Sequence, residues 1–395
     1  MPPMSSEKRL VYLDNGATSF PKPPAVAAAM SHFTLEVGGS PGRSGHRLSQ
    51  EAARIVFDCR EAVAALIGAP DSKRIVFALN ATQGLNTAIY GTLRQGDRVV
   101  TTSMEHNSVM RPLRDLERRG VIALTVVPCD GTGRLDLNRL EDALRATRPR
   151  LVAAVHASNV TGSVLPLRAV GGLCRSAGAL LLVDAAQSAG ALPIDVLADG
   201  VDLLAFTGHK SMFGPQGTGG LWCREGVDPE PLVRGGTGSN SELEEQPDFW
   251  PDRLESGTQN AVGLAGLLAG LQFIASEGLA KIHTREEALV RRLLAGLEGV
   301  AGIRVHGPGH AEERTPVVSV TFDGLFPSEA GFLLEEGFGV LTRVGLHCAP
   351  AAHRTIGTHP QGTVRFTPGY FTTIQHIDAA IEGCRYLAAK KAGAR

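Results

Sequence analysis

A lysine, an aspartate, a histidine and a helix start each lie just beyond an apolar run, and these residues have chemistry to offer. Lys210 follows VDLLAFT in the turn TGHK. Held in a cleft, where desolvation lowers its pKa, such an amine becomes a nucleophile; on an open surface it is an ordinary cation. Thr207 and His209 beside it are donors suited to an anion. Asp184 closes LLLVD, where a carboxylate is costly without a partner. A protonated pyridine nitrogen would serve, as would a structural ion pair or a cap of the next segment. Gln187, three residues on, can reach the same pocket. In FALNATQGLN an apolar run gives way to a helix start at Ala81, Thr82 and Gln83. Free N–H groups there bind phosphate and the Thr82 hydroxyl adds a donor, although an ordinary N-cap at Thr82 reads the same way. His106, in SMEHNSV, is placed to stack on a planar ring or relay a proton, or to be structural.

Together these residues match the needs of pyridoxal 5′-phosphate: a lysine for covalent attachment, an acid for the pyridine nitrogen and a phosphate cradle. Neither a GxGxxG after the first strand nor a GxxxxGK[ST] occurs, so nucleotide-binding alternatives lack their signatures. A second centre of interest is RVGLHCAP, residues 343–350. Cys348 there could be a small core residue, a metal ligand or a nucleophile. His347, His353 and His359 are near it in sequence, but the spacing matches no standard zinc pattern, and no metal is expected. Neighbouring cations favour the reactive thiolate form, and Arg343 and His347 are candidates for that part.

The elements that must position these residues follow from periodicity. From about Arg74, short apolar runs alternate with helical spacing. RIVFAL, DRVVTT, VIALTVVP, LVAAVHAS, ALLLVDAA, VDLLAFT and GGLWCRE read as strands. Helices are expected from Thr82, after EHNS, over LDLNRLEDALRA and around LRAVGGLCRSAG. This is the pattern of a largely parallel α/β sheet covered on both faces, with ligands beyond the carboxyl ends of its strands. Near Asn260 the pattern changes to helices from about Ala261 and Ala280, then PVVSVTF, SEAGFLLEEG, TVRFTP and a last helix from about Ile374, a smaller α+β domain.

The chain has 395 residues, 43% of them apolar, with 39 basic and 40 acidic side chains. That balance, without a basic block, favours a soluble protein handling small molecules, with no nucleic acid and no membrane as partner. The run AVGLAGLLAGLQFIA is short for a bilayer span and is expected as a buried helix. No signal peptide is recognised at the N-terminus. Six scattered cysteines without a CxxC fit a reducing cytoplasm.

The sequence resembles the class V aminotransferase superfamily, and within it the cysteine desulfurases and selenocysteine lyases, from YLDNGATS to VRFTPGYFTT. The matching stretches between are PGRSGHRLS, ATQGLN, EHNS, HASNVTGSVLP, VDAAQSAG, FTGHKSMFGPQG, RLESGTQN and RVGLHCA. The resemblance implies the fold of PLP-dependent type I aminotransferases, with a large PLP-binding domain over 20–262 and a small α+β domain from 1–19 and 263–395. It implies Lys210 as the cofactor lysine, Asp184 at the pyridine nitrogen and Gln187 at the phenolic oxygen. His106 would stack on the ring and assist proton transfer, and Thr82, Thr207 and His209 would hold the phosphate. Thr258, in the GTxN element, would reach the phosphate site of a partner in a homodimer. Asn159 and Arg365 would bind the substrate carboxylate, with Arg343 also at the substrate, and Cys348 would take sulfur from L-cysteine as a persulfide, leaving L-alanine. The alternatives are selenocysteine as substrate, another class V reaction (transamination, epimerisation or β-elimination), or a degenerate binding subunit. Two departures stand out. Leu346 replaces the first of two histidines usual before the cysteine in the short-loop branch, which leaves sulfur-versus-selenium preference open. Cys348 and Arg365 are also too close in sequence for a long mobile loop, so a restrained cysteine that needs an acceptor protein or reductant is expected.

Overall fold

The structure, a computed structural model, describes residues 10–42, 44–239, 242 and 244–392. Residues 1–9 and 393–395 of the expected small domain, and Arg43 of the PGRSGHRLS match, lie outside these residues. In chain order the elements are β1 (Val11–Tyr12), α1 (Pro24–His32), α2 (Arg47–Ile67), β2 (Ile75–Ala78), α3 (Ala81–Thr92), β3 (Asp97–Thr102), α4 (Asn107–Arg118) and β4 (Ile122–Val127). They continue with α5 (Leu137–Thr147), β5 (Leu151–Val155), α6 (Leu167–Ser176), β6 (Leu180–Asp184), β7 (Leu203–Thr207), β8 (Gly219–Cys223), α7 (Ala261–Glu277) and α8 (Leu279–Leu297). The last are β9 (Ile303–His306), β10 (Val318–Phe322), α9 (Pro327–Phe338), β11 (Val340–Leu341), β12 (Arg343–Gly345), α10 (Pro350–Thr355), β13 (Thr363–Phe366) and α11 (Ile374–Ala392).

The large sheet runs β2-β8-β7-β6-β5-β3-β4. Its ladders are parallel from β7 through β4, and β8 is antiparallel to both of its neighbours. Strands β5, β7 and β8 are buried at every residue, as a sheet covered on both faces requires. The second sheet, β12-β13-β10-β9, is antiparallel, and β1 pairs with β11 beside it.

The expected strands and helices fall where the periodicity puts them. The chain also holds elements that the reading passed over: α1 and α2 before Arg74, and β9, β12 and α10 around the second sheet. Helix α7 is apolar all round rather than on one stripe, so it is buried on more than one face. It lies past residue 262, yet Leu264, Leu267, Leu271 and Ile274 join the core of the large sheet. Gly270 lets it approach closely, because a Cβ there would overlap the Met212 carbonyl. Helix α8 contributes Leu289, Val290, Leu293 and Leu297 to the core of the small sheet. Among the described residues no single helix is long and apolar enough to cross a membrane.

Candidate active site

A cavity of about 480 Å³, part of it open to solvent, lies at the carboxyl ends of the large sheet's strands. It is lined by Thr82, His106, Asn159, Asp184, Gln187, Thr207, His209 and Lys210, and also by Asn80, Ser108 and Val155. Five of the seven strands lead into it. β2 leads into Asn80, β3 into His106, β5 ends at Val155, β6 at Asp184 and β7 at Thr207. A parallel sheet gathers such residues because all its strands end on the same side.

The N-cap of α3 is Asn80 rather than Thr82. Its Oδ1 accepts from the Gln83 N–H at 3.1 Å, while Gln83 Oε1 accepts from the Leu79 N–H at 2.8 Å. Thr82 therefore sits inside the first turn. Ala81 and Thr82 line the cavity, and their N–H groups have no acceptor within the helix, the arrangement that suits an anion. Thr82 Oγ1 is 2.8 Å from Ser108 Oγ, which is 2.9 Å from His106 Nδ1. Nδ1 also accepts from the Ser108 N–H at 3.1 Å, so the imidazole proton belongs on Nε2. Burial, then the charge of Lys210, holds the His106 pKa down at about 4, and the ring is neutral near pH 7.

Asp184 is 3% exposed, and its Oδ1 accepts from the Ala186 N–H at 3.0 Å. Burial pushes its carboxyl pKa up, against the Ala186 bond and the charge of Lys210. It makes no ion pair among the described residues. Lys210 is half-buried, and desolvation lowers its pKa to about 8, with Arg365 and Arg343 adding to the shift and Asp184 opposing it. A lysine so placed has a usable fraction of free amine near neutrality. Gln187 Nε2 donates to the Gly16 carbonyl at 2.9 Å, which leaves its second N–H and its oxygen for the cavity. His209 Nδ1 is buried without a partner among the described residues, and burial lowers that ring's pKa to about 4. A buried carboxylate lacking a cation, an orphaned imidazole nitrogen, a helix N-terminus and a lysine of lowered pKa fit pyridoxal phosphate in charge and in donor set.

The expected substrate residues lie beside this cavity. Arg365 is fully buried; its Nη1 donates to the Asn159 carbonyl at 3.0 Å, its Nη2 pairs with Asp14 Oδ1 at 2.8 Å, and Nε has no partner among the described residues. Asp14, in the LDNG stretch, went unnoticed in sequence; its signal was a carboxylate directly after a buried strand. Cys348 is exposed, 3.6 Å from Arg343 Nη2 and within electrostatic reach of Lys210. His347 does not serve as the expected cation. It is buried, its Nε2 bonds Thr363 Oγ1 at 2.9 Å, and burial holds its pKa well below 6.5, so the ring is neutral.

The cysteine turn has positive φ at Gly345 (99°), His347 (49°) and Cys348 (59°). Left-handed conformations cost non-glycine residues about 1–2 kcal/mol each, so outside contacts must hold the turn. Asn107 N–H donates to the Cys348 carbonyl at 2.8 Å, Asn159 Nδ2 to the His347 carbonyl at 2.6 Å, and Thr355 Oγ1 to the Ser103 carbonyl at 3.1 Å. Ala349, Ala352 and Ile356 pack with Met104, Val155 and Val160 at the carboxyl end of the large sheet. The segment is docked on the large sheet. Among the described residues no group of three or more His, Cys, Asp or Glu side chains is arranged to hold a metal ion.

Thr258 is exposed and does not line this cavity. Its loop is anchored by a buried pair that the sequence did not reveal. Arg60 Nη1 and Nη2 meet Glu255 Oε1 and Oε2 at 2.7 and 3.0 Å, with the side chains 7% and 5% exposed. Glu255 also accepts from the Phe77 N–H at 2.6 Å and from Gln259.

This fold and site place the chain in a family of known enzymes: it belongs to the class V aminotransferases, whose family description, Aminotransferase class-V, matches residues 11–380. That family is PLP-dependent. A protein of Methanothermobacter thermautotrophicus named "Probable cysteine desulfurase" is 36% identical over 96% of this chain and 94% of its own length. The apo structure of the cysteine desulfurase from Thermococcus onnurineus NA1 superposes with a TM-score of 0.90, at 32% identity over 96% of this chain and 95% of that one. The Escherichia coli cysteine desulfurase CsdA, in an S-sulfonic acid form, gives 0.83 at 27% identity, over 95% and 94% of the two chains.

Proposed function

We propose that this chain binds pyridoxal 5′-phosphate at Lys210 and acts as a cysteine desulfurase, converting L-cysteine to L-alanine with its sulfur passed to Cys348. The observation that carries the reading is an exposed cysteine, 3.6 Å from an arginine, docked at the rim of a cleft holding a lysine of lowered pKa and a buried aspartate. The names of the relatives support it.

The cofactor, when bound, would take up the electron pair released at the substrate α-carbon. The chain's own residues do the rest. Ala81, Thr82, Thr207 and His209 would hold the phosphate, Asp184 the ring nitrogen, Gln187 the phenolic oxygen and His106 the ring face. Lys210 Nζ, with its pKa near 8, takes the α-proton and returns it. Arg365 and Asn159 would hold the substrate carboxylate. Cys348 Sγ, as the thiolate, attacks the substrate sulfur: the Sγ–S bond forms, the S–Cβ bond breaks with its electron pair staying on the substrate carbon skeleton, which takes up a proton to become alanine, and Cys348 is left as a persulfide. The docked turn leaves the persulfide little reach, so a thiol reductant or an acceptor protein must come to it.

A homodimer is part of the proposal. Thr258 stands outside its own cavity, exposed, on a loop braced by Arg60 and Glu255, which supports a role for it at the phosphate site of a second copy. The cytoplasm is the inferred location, since all six cysteines are unpaired.

The deciding experiment is alanine production from L-cysteine with a reductant, beside Cys348→Ala. Alanine from the wild type and none from the variant is the expected result. Alanine from neither, with normal cofactor absorbance, would remove L-cysteine as substrate and direct the assay to selenocysteine. Equal alanine from both would point to another class V reaction that does not use Cys348.

A further inference from the structure

His347 and Cys348 are consecutive left-handed residues, and neither is glycine. Their carbonyls are each taken by a donor from the large sheet's end. The side-chain amide of Asn159 donates to His347 O at 2.6 Å, and the main-chain N–H of Asn107 donates to Cys348 O at 2.8 Å. From within, Ala349 N–H closes the turn by donating to Leu346 O at 2.8 Å. Asn159 is itself fixed, 7% exposed, with its own carbonyl accepting from the buried Arg365.

We propose that Asn159 is a positioning residue for Cys348: together with the Asn107 N–H, its amide clamps the carbonyls of the left-handed turn and so fixes where the sulfur stands beside Arg343. The clamp spends one N–H of the amide and leaves the other for a ligand in the cavity that Asn159 lines. The importance of the clamp for turnover rests on the desulfurase reading; the clamp itself does not.

The test uses the cofactor-loaded protein and reads amide hydrogen exchange at Asn107 and Ala349. In Asn159→Ala, and in the near-isosteric Asn159→Asp, which cannot donate, both amides should exchange about tenfold faster, the factor that follows from losing one buried hydrogen bond. A second variant reaches the clamp from its other side. Asn107 is the first residue of α4, and His106 before it is extended (φ −69°, ψ 156°), so Asn107→Pro suits the helix while removing the donor to Cys348. Ala349 should again exchange faster. With L-cysteine and reductant, Asn107→Pro should lower kcat by about tenfold and leave KM within about twofold. Unchanged exchange at both amides in the Asn159 variants, with KM alone raised, would make Asn159 a substrate ligand only and overturn the proposal. If the wild type made no alanine from L-cysteine, the exchange measurements would still decide the clamp.

Discussion

The cleft and the cysteine turn meet at one edge of the molecule and are built in opposite ways. In the cleft, Asp184 and Thr207 are the last residues of strands buried over all or nearly all of their length, and each strand is laddered to a neighbour on both sides. The turn follows β12, a three-residue edge strand, and depends on left-handed residues held by a few outside bonds. The contrast matches the tasks proposed for them. A group that must present fixed charge gains from a rigid strand end, and a group that hands its cargo to a visitor must stand exposed.

The largest expected effect breaks the cleft and spares the turn. Lys210→Ala should lower alanine formation by about 10³-fold or more, because it removes both the attachment point and the proton carrier. Iodoacetamide should still label Cys348 at close to the wild-type rate. Slowed labelling would mean that the turn depends on the cleft and the two are one unit. The complementary change is Gly362→Val. Gly362 has φ of 83°, and a Cβ there would overlap the Gly345 carbonyl at the base of the turn. Overpacking of this kind costs about 1–3 kcal/mol, so alanine formation should fall by about tenfold or more. Cofactor absorbance should be unchanged; its loss would tie the cleft to the turn.

The same contrast governs what could be read in the sequence. Strand ends are legible because an apolar run such as LLLVD announces both the strand and the polar residue that closes it, so Asp184, Thr207 and Lys210 stood out. Thr82 was found for its hydroxyl while the cap was missed, although Asn80 three residues before Gln83 is a capping signal. The left-handed turn left no such trace, since histidine and cysteine do not favour positive φ and their conformation is imposed from outside. His347 was misread for the same reason. Its place in the sequence beside Cys348 says nothing about its ring turning inward to Thr363. The Arg60–Glu255 and Arg365–Asp14 pairs join residues far apart in the chain, which periodicity cannot report.

Acid gives a graded test of the ground beneath the turn. His353 is fully buried on α10, its Nδ1 2.7 Å from Thr358 Oγ1, and burial lowers its pKa to about 4. In the unfolded chain the ring takes its proton near 6.5. Between these values the unfolded state binds more protons. The contribution to stability is therefore full above pH 6.5 and is lost as pH falls toward 4, a change on the order of 3 kcal/mol. His353→Gln should flatten the fall in melting temperature across that window. An unchanged profile would place the acid sensitivity with other buried histidines, among them His106, His156, His209 and His306, whose pKa values are also near 4.

The smallest effect concerns Glu105, a fully buried carboxyl that sequence reading passed over beside His106. Its Oε1 accepts from Thr102 Oγ1 at 2.6 Å, Oε2 has no partner among the described residues, and burial pushes its pKa up to about 8, with Asp184 nearby adding to the rise. At pH 5 it is a neutral acid, and Glu105→Gln keeps both its shape and the oxygen that Thr102 needs. The cost there should be under about 1 kcal/mol. The sign then reverses with pH. A carboxyl whose folded pKa lies above its unfolded value near 4.5 contributes stability that is full below 4.5 and is lost as pH rises to 8, whereas glutamine has no such dependence. Denaturant unfolding at pH 5 and pH 8 should show the variant gaining on the wild type. A variant that instead falls further behind at pH 8 would mean that Glu105 is ionised in the fold. The large sheet would then carry a second buried carboxylate within electrostatic reach of Asp184, and the difference between the cleft's fixed charge and the turn's borrowed support would be larger than the burial of Asp184 alone implies.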